Sequence, residues 1–148
     1  QDVKVVKVEK GIIVDMELNE KCAASCGRYL ENMANVLELS LDELAQHSEN
    51  PVKLNSTCAI FSESELIGEI SKGRNLEELC AGINYSLYTR LKPMLNRFNG
   101  DTLLVSGGVA KNKAIIKYLA ENYDEVIALN NSDFVGTVGC CHFGQIKS

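Results

Sequence analysis

An apolar run of strand length, Thr102-Leu103-Leu104-Val105-Ser106, passes directly into Gly107-Gly108 and then into a segment with helical periodicity from about Ala110 to Asn122. A strand buried on both faces, followed at once by a helix, calls for a crossover in which the helix packs back across the sheet. The pattern recurs: Val126-Ile127-Ala128-Leu129 reads as a second buried strand, and Phe134 to Ile146 as a final helix of small residues. The last third of the chain is therefore expected to be α/β.

The first two thirds begin with a different signal. The run VKVVKV, a turn at Glu9-Lys10-Gly11 and the run IIVDMEL form two β-branched strands of a hairpin. Asn19 is a candidate N-cap for a helix that takes in Cys22 and runs to about Glu38. Ser40 followed by Glu43 matches a capping box and opens a short helix ending near His47 to Pro51. Ser56 to Phe61 reads as a short strand, with Ser62 or Ser64 capping a helix through Ile70. Asn75 opens the longest helix. Leu76, Leu79, Cys80, Ile83, Leu87, Leu91 and Leu95 line one face of it, and Pro93 is expected to bend or end it. The expected order is β-β-α-α-β-α-α-β-α-β-α, an antiparallel start extended in the same sheet by parallel crossover strands. With 148 residues, 45% of them hydrophobic, and no internal repeat, a single domain over 1–148 is expected.

Charge narrows the functions. The net charge of -5 is spread without a basic block, which argues against nucleic acid or an anionic membrane as partner. Apolar stretches are short and the N-terminal residues carry charges, so neither export nor membrane insertion is expected and a cytoplasmic location is.

Two constellations could carry chemistry. Gly107 and Gly108 allow close approach of a ligand, and the helix behind them offers free N–H groups and a positive dipole end, which suits a nucleotide. The same pair serves packing in many buried strands, and the motif is neither a Walker A loop nor a full GxGxxG. Lys111 and Asn112 read equally well as solvent-facing residues of the first helical turn. The second constellation is Cys22 and Cys58, each among polar neighbours. Free N–H groups at a helix start stabilise a thiolate, so Cys22 sits where a reactive or ligating cysteine would be placed. Two thiolates are half of a zinc or iron–sulfur site, so the rest would come from Cys26 or from a second copy across a two-fold axis; unremarkable buried thiols are the alternative. Cys80, Cys140 and Cys141 read as core. His47 and His142 have no partner that suggests a catalytic pair, and no Ser-His-Asp arrangement is present.

Five blocks, in order and at matching spacing, carry a resemblance: Gln1-Asp2-Val3-Lys4-Val5; Asn19 to Ala24; Gly27-Arg28-Tyr29-Leu30-Glu31; Ser56 to Glu65; and Ser106-Gly107-Gly108-Val109-Ala110-Lys111-Asn112. Together they cover nearly the whole chain and resemble the ATPases that activate 2-hydroxyacyl-CoA dehydratases and serve benzoyl-CoA reductases. The resemblance implies a ribonuclease-H-like domain of the actin, Hsp70 and sugar-kinase superfamily, a mixed sheet with flanking helices. It implies a homodimer holding one 4Fe–4S cluster, with Cys22 and Cys58 as each subunit's ligands. It places ATP or ADP with Mg at Gly107, Gly108 and the nearby Lys111, with Gln1 and Asp2 ending a second phosphate-binding segment. It further implies a ferredoxin or flavodoxin as electron donor and a dehydratase or reductase as recipient. Two departures stand out. Ser25-Cys26 replaces the family's usual Gly-Thr, and the chain starts inside a motif, so a preceding domain with the first phosphate loop is expected in the parent polypeptide. This second half alone is expected to hydrolyse little ATP. A non-catalytic nucleotide-binding or regulatory module, and a small-metabolite kinase of the same superfamily, are the alternative readings.

Overall fold

A computed structural model of the chain describes residues 2–19, 26–98 and 100–146. The N-terminal hairpin pairs β1 (Lys4–Glu9) with β2 (Ile12–Leu18) antiparallel, with an irregularity between Lys7 and Val8. Its turn residues Lys10 and Gly11 both have positive φ, 51° and 80°. That pair of left-handed conformations matches the right-handed twist of the strands it joins.

Helices α1 (Gly27–Val36), α2 (Leu41–Leu44), α3 (Ala59–Ser71) and α4 (Leu76–Leu95) follow. The capping box at α2 forms as expected: the Ser40 hydroxyl accepts the Glu43 N–H at 3.2 Å, and the Glu43 carboxylate accepts the Ser40 N–H at 2.8 Å. In α4 the Asn75 side chain caps the Glu77 N–H at 2.8 Å. Glu77 and Glu78 in its first turn and Lys92 in its last complement the helix dipole, and Pro93 falls close to its end. Then come β3 (Thr102–Val105), a 3₁₀ turn at Gly108–Lys111, α5 (Lys113–Ala120), β4 (Glu125–Ala128), a second 3₁₀ turn at Ser132–Phe134 and α6 (Val135–Ile146).

The core gathers around α4. Leu79, Cys80, Ile83 and Leu87 meet Tyr29, Leu30 and Met33 of α1, Leu44 of α2, Leu66 of α3, and Ile115, Tyr118 and Leu119 of α5. Burying this many large apolar side chains, each contributing about 1.5–3 kcal/mol, is what fixes the helices against one another.

Strands β3 and β4, expected to be buried, each leave residues exposed, with Leu104 59% and Ile127 38% accessible. Four further expectations require correction. The segment Ser56 to Phe61 is not a strand. Asn55 Oδ1 accepts the N–H groups of both Thr57 (2.8 Å) and Cys58 (2.9 Å), and this side-chain turn makes Cys58 the N-cap of α3. The single sheet does not form among the described residues: β1 bonds to β2, β3 bonds to β4 in parallel register from Thr102↔Glu125 to Val105↔Ala128, and the two pairs are separate. Residues of β1 and of β3 line one cavity of about 800 Å³ instead of sharing a ladder. The helix expected to run unbroken from Asn19 to about Glu38 is interrupted at Cys26, whose φ of -141° makes it the N-cap of α1; the expected stretch through Cys22 lies outside the described residues, and the Asn19 N–H donates to Val3 O at 3.0 Å, prolonging the hairpin ladder. Finally, α6 buries none of its residues, so Cys140 and Cys141, expected in the core, are exposed. At Gly136 and Gly139 a Cβ would meet nothing within 4 Å.

Candidate nucleotide turn and cysteine site

The turn after β3 is built on backbone that only glycine adopts cheaply. Gly107 has φ 90° and ψ 177°, a region closed to residues with a Cβ. Its N–H donates to Ser132 O at 2.9 Å and its carbonyl accepts the Ala110 N–H at 3.1 Å, which ties the turn to the segment after β4. Gly108 is different. A Cβ there would approach only Asp133 Oδ1, at 3.6 Å, an ordinary contact. Backbone conformation therefore explains Gly107, while neither conformation nor packing demands glycine at 108, where the open side of the turn is left accessible to a ligand.

Lys111, at the end of this turn, forms an ion pair with Asp133. Asn112, which reads from sequence as a solvent-facing candidate, is buried: its Oδ1 accepts the Ile115 N–H at 3.0 Å and caps α5. Asp2 is exposed and accepts from Lys4 Nζ at 2.7 Å, and that hydrogen bond holds its carboxyl below the usual range. Asp2, Gly107, Gly108 and Lys111 all border the same cavity of about 800 Å³, on whose floor lie Leu87 and Leu91. Four of the five residues predicted for nucleotide binding thus come together; the fifth, Gln1, lies outside the described residues.

Cys58 occupies the start of α3, half-buried, with no side-chain cap of its own. The N–H groups of Phe61 and Ile60 point at the thiol and, with a smaller contribution from the Arg90 guanidinium, lower its pKa. Arg90 stacks over the Tyr29 ring at 4.1 Å and donates to Asn55 O at 3.1 Å, and Ser86 Oγ donates to the same carbonyl at 3.0 Å. Asn55 therefore holds the N–H groups of Thr57 and Cys58 on one side and is held by α4 on the other. Cys22 lies outside the described residues. Cys26 is buried at the N-cap of α1. Among the described residues no group of three or more His, Cys, Asp or Glu side chains gathers as a metal site. Of the two cysteines predicted as cluster ligands, Cys58 alone is described, and the Ile60 and Phe61 N–H groups favour its thiolate form. Cys80 has the opposite chemistry: burial in the core pushes its thiol up to about 11.

Arg90 and Asp133 escape a motif reading because their partners Asn55 and Lys111 lie 35 and 22 residues away, and Asn55 escapes it because a side-chain turn leaves no periodic signal. The Asn-x-x-Cys spacing of an Asx turn is the one signal that could have located Asn55.

Residues 1–144 match the profile of the BadF/BadG/BcrA/BcrD ATPase family. The (R)-2-hydroxyglutaryl-CoA dehydratase activating ATPase of Acidaminococcus fermentans is 40% identical over 153 residues, which cover 100% of this chain and 59% of that protein. Among solved structures, the activator of the 2-hydroxyisocaproyl-CoA dehydratase from Clostridium difficile with bound ADPNP superposes with a TM-score of 0.86 at 34% identity, covering 94% of this chain and 54% of that one. The (R)-2-hydroxyglutaryl-CoA dehydratase component A of Acidaminococcus fermentans gives 0.83 at 36% identity, covering 90% and 54%. The chain spans little more than half the length of these relatives. The likeness extends over its described fold, which is α/β and of the actin-like kind those activators share. No helix among the described residues is long and apolar enough to cross a membrane.

Proposed function

The chain belongs to the BadF/BadG/BcrA/BcrD ATPase family, and on that premise we propose that it is the nucleotide- and cysteine-bearing half of an ATP-dependent activator that passes electrons to a 2-hydroxyacyl-CoA dehydratase or a benzoyl-CoA-type reductase. The observation that carries the reading is the convergence of Asp2, Gly107, Gly108 and Lys111 on one cleft, with glycine-only backbone at Gly107 and open space at Gly108.

The roles follow from the geometry. Gly107 turns the chain sharply off β3, and Gly108 leaves the backbone bare, so a nucleotide can lie against it without meeting a side chain. Lys111 sits at the end of the turn as a cation balanced by Asp133, able to face a phosphate once the nucleotide competes for it. Asp2 enters the cleft from the hairpin side, where a carboxylate can hold Mg-bound water. The half-site at Cys58 completes the proposal: its thiolate, favoured by the N–H groups of Ile60 and Phe61, fits a ligand of a 4Fe–4S cluster shared with a second copy, Cys22 being the other ligand from each chain. When bound, such a cluster supplies a low-potential electron. Cys58 holds its place through Asn55, and Asn55 through Ser86 and Arg90 of α4, the helix that also supports the nucleotide cleft through Leu87 and Leu91. The redox donor, ferredoxin or flavodoxin, and the acyl-CoA enzyme that receives the electron act on this assembly from outside the chain.

The test is equilibrium binding of ADP to the full-length protein. Gly108→Asp adds a carboxylate beside Asp133 on the open side of the turn, and ADP affinity is expected to fall at least about tenfold, the cost of bringing like charges to the phosphates in a partly desolvated cleft. Unchanged affinity in that variant would sink the assignment of the turn. For the cysteine half, Cys58→Ser is expected to lower the iron recovered from anaerobically reconstituted protein; full iron content would remove Cys58 from the ligand set.

A further inference from the structure

Asparagine is an unfavourable residue in a helix interior and an expensive one to bury, yet Asn84 sits in the middle of α4 with no exposed surface. Both of its side-chain polar atoms are bonded within the protein. Its Nδ2 donates to Leu44 O at 2.8 Å and to His47 O at 2.9 Å, satisfying carbonyls at and beyond the end of α2, where a helix leaves them without partners. Its Oδ1 accepts Asn112 Nδ2 at 2.9 Å. Asn112 in turn accepts the Ile115 N–H and donates its own N–H to Val109 O at 3.0 Å, so it is at once the cap of α5 and the last residue of the glycine turn. A continuous amide relay therefore runs from the α2 carbonyls through α4 to the exit of the Gly107–Lys111 turn. A second anchor runs parallel to it: the Ala114 N–H donates to Ala45 O at 3.0 Å.

We propose that Asn84 is a positioning residue for nucleotide binding: without touching the nucleotide, it holds Asn112 and thereby fixes the backbone of the glycine turn in its binding geometry. This rests on the reading of that turn as the nucleotide site. The physical basis is preorganisation. A turn already held in its bound shape loses less freedom when the ligand arrives, and a buried amide pair with every side-chain polar atom bonded has one low-energy arrangement, because any other leaves a carbonyl or an N–H unpaired in the interior. Asn112 can cap α5 with its Oδ1 whether or not Asn84 is present, so the Asn84 bond adds orientation that capping alone does not supply.

The experiment compares Asn84→Ala, Asn112→Ser and Leu79→Ala in the full-length protein. Asn112→Ser keeps a hydroxyl that can cap α5 but cannot reach Asn84, so it isolates the relay bond in a chain expected to fold. Leu79→Ala removes core volume from the same helix without entering the relay and serves as the control for general destabilisation. Two quantities are read at a temperature where all are folded: amide hydrogen exchange at Ala110, Asn112 and Ile115, and the Kd for ADP. Asn84→Ala is expected to speed exchange at those three amides and to raise the Kd about tenfold, the scale of one orienting hydrogen bond. Asn112→Ser is expected to raise it severalfold, and Leu79→Ala to leave both readings at wild-type values. Unchanged exchange at the turn in folded Asn84→Ala and Asn112→Ser chains overturns the relay whatever the nucleotide does. Faster exchange with an unaltered Kd overturns the positioning role, and a wild-type protein that binds no ADP instead overturns the reading of the turn on which the affinity claim rests.

Discussion

Helices α4 and α6 both carry glycine in their interiors, and the two meet opposite surroundings. At Gly82 of α4 a Cβ would fall 2.5 Å from Val52 Cγ2 and 2.6 Å from Val52 O, because the segment after α2 crosses the helix closely enough for the Val52 N–H to donate to Glu78 O at 3.2 Å. At Gly136, Gly139 and Gly144 of α6 a Cβ would meet nothing within 4 Å. Around Gly82, Leu79, Cys80, Ile83 and Leu87 are buried; around Gly139, Val138, Phe143 and Ile146 are all more than half exposed. A small residue in a helix thus permits close approach without requiring it. What decides is whether another element of the described chain arrives there.

The largest effect expected from this contrast is at an apolar side chain. Ile83→Ala, fully buried at the centre of the core, should cost about 2–5 kcal/mol of unfolding free energy, the lost transfer plus the cavity left behind. Val138→Ala on α6, 65% exposed, should change stability by no more than about 0.5 kcal/mol. Urea unfolding of both variants measures the difference. Comparable losses would mean that α6 is buried in solution and would break the comparison.

A sharper version inverts the usual propensity rule. Alanine is the better helix former by about 1 kcal/mol, so Gly82→Ala should stabilise an isolated helix. In this chain the added methyl has to displace the Val52 carbonyl, a backbone atom with little freedom, and a net loss of about 1–3 kcal/mol is expected in the same unfolding experiment. A gain would mean that the residues around Val52 yield easily, and would remove close approach as the reason for glycine there.

Legibility followed the same division. The capping box at Ser40, the Asn75 cap and the apolar stripe of α4 were readable because both partners of each interaction lie within a turn of one another, or repeat at helical period. The order of strand, glycine pair and helix around Gly107 was readable for the same reason, as was the fold it implies through the family resemblance, but the burial of β3 was not, since an apolar run does not say whether a second layer covers its outer face. The segment at Cys58 was misread because β-branched Thr57 and Ile60 outweighed a local side-chain turn from Asn55, which periodicity does not register. Asn84 and Asn112, 28 residues apart, share a buried bond that no local pattern could announce. Cys140 and Cys141 were misread because glycine spacing in α6 resembles a packing face, while packing depends on a second surface that the spacing cannot supply.

The smallest effect tests that last point most directly. Gly139 lies in the middle of α6 with open space where a Cβ would be, so Gly139→Ala should gain about 0.5–1 kcal/mol, through the entropy glycine gives to the unfolded chain and the better helix propensity of alanine. Thermal unfolding should register this as a rise of a few degrees, since about 1 kcal/mol shifts the midpoint by about 2–8 °C for domains from 60 to 250 residues. Val138, Phe143 and Ile146, exposed on the same helix, raise the other outcome. If a methyl at 139 lowers the midpoint instead, that position is in close contact in solution, and α6 is a packed helix after all. Repeating the measurement over a range of protein concentrations then identifies the contact. A loss that grows with concentration belongs to an interface between copies, and one that does not belongs to the chain's own polypeptide. In either case the contrast between Gly82 and Gly139 disappears, and the small residues of α6 take the role that Gly82 already has in α4.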